Sequence, residues 1–468
     1  MKRTRAAMLV AVTALLVATG CETTGSSEAA TGTTASLSLS QNRPIMHEHF
    51  SASGTVSTRF RRPVTLRVRH GAAWTVLQRS TTGPAGRYRF TGLSATVPHT
   101  YSVSVPAVRH AGRVYRAVTT GTKQARPVHQ EAALSVLPAI AQRGTAPASN
   151  GAARNVVVAR FTPARPGRGV VFYRQLADGS WTTAGTAHQG GDGRAYLTGA
   201  ASSGSWGPFK ARTVGRAGAA TRYSAVASDT WVPAFGDQFT GTSLDPAKWS
   251  YRVGAASSRQ HSKNDRRAVD VGGGTLNLHV RKDPSALATK YLNAQISTEG
   301  TFDFTYGMAS ARIRFPRGRG QHGSFWLQSP AYGHYPGDPG RSGAEIDAVE
   351  FFGKDYPGGG LANFLYYTDA KGNNVKLGDV RPSASSLVPS SDSWWNSYHV
   401  FSVRWTPQGY TFYVDGRVLA TSTRAVSDRS EYLILSLLTS DWELGHLDRS
   451  TLPTTMKVDW AKVWQPAS

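Results

Sequence analysis

The sequence predicts an all-β chain, two small sandwiches followed by a larger domain of two packed antiparallel sheets, and three observations carry the prediction. Between about residues 35 and 230 no stretch follows the helical period. Short alternating runs there are broken by Gly, Pro or Ser roughly every ten residues, the pattern of a sandwich. This block also repeats, since "WTVLQRSTTGPAGRYRFTG" (74–92) matches "WTTAGTAHQGGDGRAYLTG" (181–199). From residue 231 onward composition changes but the strand pattern persists, in "GTLNLHVRK" (274–282), "YGMASARIRF" (306–315), "YHVFSVRW" (398–405) and "MKVDWAKVW" (456–464).

Taken in order, residues 1–21 read as an export signal. Lys2, Arg3 and Arg5 precede an apolar run from Met8 to Val17, a length of about ten residues that suits a signal core and is too short to span a bilayer. Cys21 is the only cysteine, so no intramolecular disulfide can form. Small residues before a lone cysteine, with the polar tether 22–34 behind it, resemble a bacterial lipoprotein signal. That resemblance implies lipidation at Cys21 and a protein outside the cell, anchored to the outer face of the membrane or else freely secreted.

Residues 35–131 and 132–230 form the two repeats, offset by about 107 residues, one sandwich each. "PVTLRVRHGAAW" (63–74) sets Val64, Leu66 and Val68 against Thr65, Arg67 and Arg69 with period two. Both copies resemble the immunoglobulin-like modules of secreted actinobacterial proteins, which serve more often as spacers or adhesive surfaces than as catalysts. From Gly32 to Phe235 there are 25 Lys and Arg against 5 Asp and Glu, so most of the formal net charge of +24 sits here. Such a surface attracts polyanions, and for an exported chain these are anionic wall polymers or a membrane surface, with no nucleic acid expected. A monomer is expected.

The last segment, 231–468, holds nine of the 12 tryptophans. Inside it "SGAEIDAVEFFG" (342–353) puts three carboxylates on what otherwise reads as a buried strand. In a regular strand Glu345 and Asp347 share a face and Glu350 points away; a one-residue bulge between Asp347 and Glu350 brings all three together. Carboxylates so close cannot all ionise, which leaves an acid beside an anion, the pair a glycosidase needs.

Five separated motifs place this segment in a wider pattern: "FGDQFTGTSLDPAKWSYR" (235–252), "YLNAQISTEGTFDFTYGMASARIRFPRGRGQHGSFWLQS" (291–329), "GAEIDAVEFFG", "YHVFSVRWTPQGYTFYVDGRV" (398–418) and "VDWAKVWQ" (458–465). Together they closely resemble glycoside hydrolase family 16, in its laminarinase-like branch with the ExDxxE spacing, over about residues 233–466. The resemblance implies a β-jelly-roll (a concanavalin-like sandwich) and a retaining endo-glycosidase acting on a β-linked polysaccharide, with β-1,3- or mixed-linkage glucan favoured. A non-hydrolytic carbohydrate-binding protein, or an adhesin using the basic sandwiches, is the alternative.

On the same footing Glu345 is expected as nucleophile, Glu350 as acid/base and Asp347 between them. Trp326, His322, Asn293, Trp442, Glu443 and Trp394 are expected to bind substrate. His322 stands where many laminarinases carry a tryptophan, and Tyr366 and Tyr367 stand where many members carry a histidine. No cofactor is expected for catalysis, while Asp459 and Asp237 are the expected carboxylates of a structural Ca²⁺ site.

Overall fold

The computed structural model describes residues 30–147, 152–199, 207–228, 230–254, 259–285 and 290–467. The expected export signal, with Cys21, lies outside them. Among the described residues strand makes up 52% and helix 5%, so the all-β expectation holds.

Two compact units can be separated, one of residues 1–129 with 217–219 and one of 130–216 with 220–468. The first contains a sandwich. One sheet pairs Phe50–Thr55 with Arg87–Leu93, and the other pairs Pro63–His70 with Ala73–Thr81 and His99–Val105. Val64, Leu66 and Val68 point into its core with Phe50, Phe90 and Tyr101, as the period-two pattern requires.

The second unit opens with a sandwich built to the same plan. Glu131–Ala141, Arg154–Thr162 and Arg194–Thr198 form one sheet; Trp181–His188, Gly169–Gln175 and Phe209–Thr213 form the other. Both sandwiches bury an arginine just before or at the start of the corresponding strand. Arg62 donates to Thr33 Oγ1 (3.1 Å) and the Arg116 carbonyl (3.3 Å), and Arg168 to the carbonyls of Val214 (2.8 Å) and Ala220 (2.7 Å). A buried guanidinium needs such acceptors, and here it ties distant segments of each sandwich together.

The remainder is one hydrogen-bonded ladder folded into two layers. A front run orders Asn374–Val380, Leu361–Thr368, Glu345–Phe351, His322–Gln328, Tyr432–Leu438 and Tyr291–Ser297. It continues into a back run of Thr275–Lys282, Thr454–Pro466, Gly307–Arg314, His399–Thr406, Gly409–Val414 and Arg417–Ser422. Between the layers Phe325, Leu327, Ile346 and Val349 meet Ala311, Phe401, Val403 and Phe412, a continuous apolar core. The expected Asp415-Gly416 hairpin turn is present, with φ of 47° and 77°, left-handed values that Asp and Gly tolerate.

Candidate active site

The carboxylate strand Glu345–Phe351 pairs with Leu361–Thr368 in a register that jumps between Asp347 and Glu350. Asp347 faces Phe364, and Glu350 faces Ala362. A matching shift on its other side sets Trp326 opposite Asp347 and Ser324 opposite Glu350. This is the bulge the sequence required. Ala348 and Val349 turn into the core while all three acids lie on the outer face of the front sheet.

Alternation along the neighbouring strand supplies the partners. Phe325 and Leu327 are core, so His322, Ser324, Trp326 and Gln328 face the acids. Gln328 Nε2 donates to Glu345 Oε2 at 3.1 Å, and Tyr432 Oη holds Gln328 in place by donating to its Oε1 at 3.0 Å. Ser324 Oγ donates to Glu350 Oε1 at 3.1 Å. Trp326 Nε1 donates to Ser436 Oγ at 3.1 Å, which fixes its ring beside the acids.

Burial pushes the Glu345 carboxyl up to about 7, with help from the Glu350 charge and against the pull of Arg252 and Gln328. Asp347, 3% exposed with Oδ2 unpartnered, is raised well above the usual range by burial and by both glutamates. Glu350 is also raised by burial, and His322, Ser324 and Lys376 oppose the rise. The trio therefore holds fewer charges than carboxyls near neutrality, which is the state acid/base chemistry needs. Because the three groups titrate together, the order of proton loss in the resting site does not assign their roles.

His322 is held by Glu443. Its Nδ1 lies 2.7 Å from Glu443 Oε2, which also accepts from Ser440 N at 3.0 Å. Burial works against the imidazolium, but the adjacent Glu443 carboxylate more than offsets it, so the His322 pKa is raised. Trp442, 59% exposed, stacks on the His322 ring with centroids 6.0 Å apart.

Of the expected binding residues, Trp326, His322, Trp442 and Glu443 are thus gathered around the acids. Two are not. Asn293 is fully buried and bonds Ser262 Oγ, the Thr439 carbonyl and Thr439 N, so it anchors the loop that carries Trp442. Trp394 is 5% exposed and packs in the core against His399 and Phe401. Its indole is apolar bulk on an inward-facing turn, and sequence alone did not distinguish that from a sugar platform.

The two carboxylates expected to hold a structural Ca²⁺ already have partners. Asp459 Oδ2 lies 2.6 Å from Arg312 Nη1, with both side chains fully buried, so a guanidinium already neutralises the carboxylate. Asp237 accepts from Phe239 N (2.9 Å) and Trp249 Nε1 (2.9 Å).

Sequence reasoning missed Gln328, Ser324 and Tyr432, although stepping by two from Trp326 would have found the first two. It also missed Arg252, whose guanidinium stands 5.7 Å from both the Trp326 and Tyr432 ring centres and comes from a loop far away in sequence. Glu431 was missed as well. Fully buried behind the site, it accepts from Ala344 N at 3.2 Å, and burial raises its pKa well above the usual carboxylate range.

Residues 256–462 match the family model "Glycosyl hydrolases family 16". The chain is 26% identical over 264 residues to the "Glucan endo-1,3-beta-glucosidase A1" of Niallia circulans, covering 49% of this chain and 37% of that protein. It is 31% identical over 197 residues to a "Beta-glucanase" of Rhodothermus marinus, covering 40% and 63%. It therefore spans less than two thirds of either relative. A "Beta-1,3-glucan-binding protein" of Tenebrio molitor is 31% identical over 131 residues, covering 27% and 24%. Among solved structures, the endo-β-1,3-glucanase of Pyrococcus furiosus aligns over 51% of this chain and 95% of its own at 22% identity, TM-score 0.42.

Proposed function

We propose that the chain is a retaining endo-glycosidase that cleaves internal bonds of a β-linked glucan, with β-1,3- or mixed-linkage chains as substrate. The observation that carries this reading is the convergence of Glu345, Asp347 and Glu350 across the bulge, each raised in pKa. The family match and the glucanase relatives support the substrate class.

In this mechanism Glu345 attacks the anomeric carbon as Glu350 protonates the departing glycosidic oxygen. A covalent glycosyl ester forms on Glu345 and the chain beyond the cleaved bond leaves. Glu350, now anionic, takes a proton from water, the water oxygen attacks the anomeric carbon, and Glu345 is released with configuration retained. Trp326, level with Asp347, and Trp442, stacked on His322, offer ring faces for sugars bound at the acids. Lipidation at Cys21 and attraction of the arginine-rich sandwiches to anionic wall polymers complete the proposal, placing the enzyme on the outer face of the membrane.

Glucan binding without turnover is a second reading, supported by the match to a glucan-binding protein. A product screen on β-1,3-, β-1,4- and mixed-linked glucans separates the two. Mid-chain oligosaccharide release from β-1,3-containing chains is expected; tight binding with no products on the whole panel would favour the second.

His322 gives a pH prediction whose sign follows from its charge. Glu350 must be protonated to act as acid, and the imidazolium lowers its pKa. His322→Gln removes that charge, so the Glu350 pKa rises and the alkaline limb of kcat/KM moves to higher pH, by about one unit for a buried neighbouring charge. A limb that stays put or moves down would show that His322 does not act on Glu350.

A further inference from the structure

The outer face of the back sheet should meet solvent in a free jelly roll. Instead Met308, Val400, Tyr413, Trp460 and Trp464 are buried there, in one apolar cluster with Leu137, Ile140, Val156 and Val158 of the second sandwich. The strand Arg154–Thr162 is apolar on both faces for this reason. Val157, Ala159 and Phe161 fill the sandwich's own core, while Val156 and Val158 face the jelly roll. "VVVA" (156–159) carries the signature of a strand buried on both sides.

The polar contacts close the same joint. Trp460 Nε1 donates to Gln142 Oε1 at 2.7 Å, and Trp231 Nε1 to the Val136 carbonyl at 2.9 Å. Tyr398 and Gly144 exchange backbone hydrogen bonds of 2.8 and 3.2 Å. Gly416 must lack a side chain, since a Cβ there would stand 2.4 Å from Val156 Cγ2. At the centre Arg312 pairs with Asp459 and donates to the carbonyls of Gln142 (2.7 Å), Ala146 (3.0 Å) and Gly144 (3.3 Å). Those three carbonyls all belong to the second sandwich. Without it a buried guanidinium would lose three acceptors, and two tryptophans, a tyrosine and a methionine would be left in water.

The geometry points to the second sandwich as a structural half of the hydrolase rather than a spacer. We infer that its 142–146 segment, acting through Arg312, stabilises Asp459 where a cation was expected. The smallest stable catalytic unit then begins near residue 130, not at the composition change near 231. Spacer modules keep polar outer faces and meet neighbours through small, wet contacts; this one shares an apolar core and a fully buried ion pair.

The test reads unfolding and association in the full chain, not activity, so it stands or falls independently of the glycosidase reading. Leu137→Asp places a charge in the joint and leaves the sandwich's own core unaltered. Followed by tryptophan fluorescence, the jelly-roll midpoint is expected to fall by about 8 °C or more, as for an unpaired buried charge in a domain this size. Tyr223→Asp, at a half-exposed position elsewhere on the same sandwich, should move it by less than about 2 °C, the range of surface substitutions. Chelator is expected to leave the wild-type midpoint unchanged.

A variant too unstable to purify is covered by a second measurement, in which a protease site is inserted after Ser228 and the folded chain is cut. The two pieces should co-elute under native conditions. Separation of the pieces with an unchanged jelly-roll midpoint would overturn the inference, as would a wild-type midpoint that drops on chelation.

Discussion

Glu345→Gln should abolish turnover of every substrate, natural or activated, lowering kcat by about four orders of magnitude or more, the scale of losing a covalent nucleophile. The amide keeps the shape and can still meet Gln328, but its oxygen is too weakly nucleophilic to form the glycosyl ester. Binding should survive, because Trp326, Trp442 and the rest of the site remain. The check is kcat on an activated aryl oligoglucoside together with a binding isotherm on the unlabelled chain. Near-wild-type kcat would remove Glu345 from the chemistry.

Glu350→Gln separates the two steps. Polymeric substrate needs protonation of a poor leaving group, so its hydrolysis should fall by about 10²–10⁴-fold, the worth of a positioned general acid. An activated aryl glycoside needs no such help, so its first step survives and the ester on Glu345 accumulates, because no base remains to deprotonate the attacking water. Azide needs no deprotonation either. Adding it should restore turnover and release a glycosyl azide of retained configuration. Absence of rescue, or an azide product of inverted configuration, would contradict the division of labour between the two glutamates.

Much of this was legible in the sequence because it rests on local periodicity. The period-two runs placed the strands, the repeat gave two sandwiches on one plan, and the odd spacing from Asp347 to Glu350 required the bulge that the register shows. Other features depend on residues far apart in the chain. Nothing in "SYRVG" says that Arg252 folds over Trp326, and nothing near Asp459 says that Arg312 reaches it first. Trp394 and Trp442 are equally aromatic, and only packing puts one at 5% exposure and the other at 59%. The apolar run 156–159 did carry a signal of burial on both faces, but its second partner was a domain beginning some seventy residues later.

The central claim is that a covalent sugar ester forms on Glu345 and not on its neighbours. The shared protons of the trio make resting pKa values a poor guide to this, so the intermediate itself should be trapped. Treatment with an activated 2-deoxy-2-fluoro oligoglucoside slows both steps but lets the good leaving group depart, so the ester persists. Peptide mass mapping should then find the added sugar on the Glu345 peptide, at the side chain of that residue. A label on Asp347 or Glu350, or turnover without any adduct and with inverted product, would contradict the account.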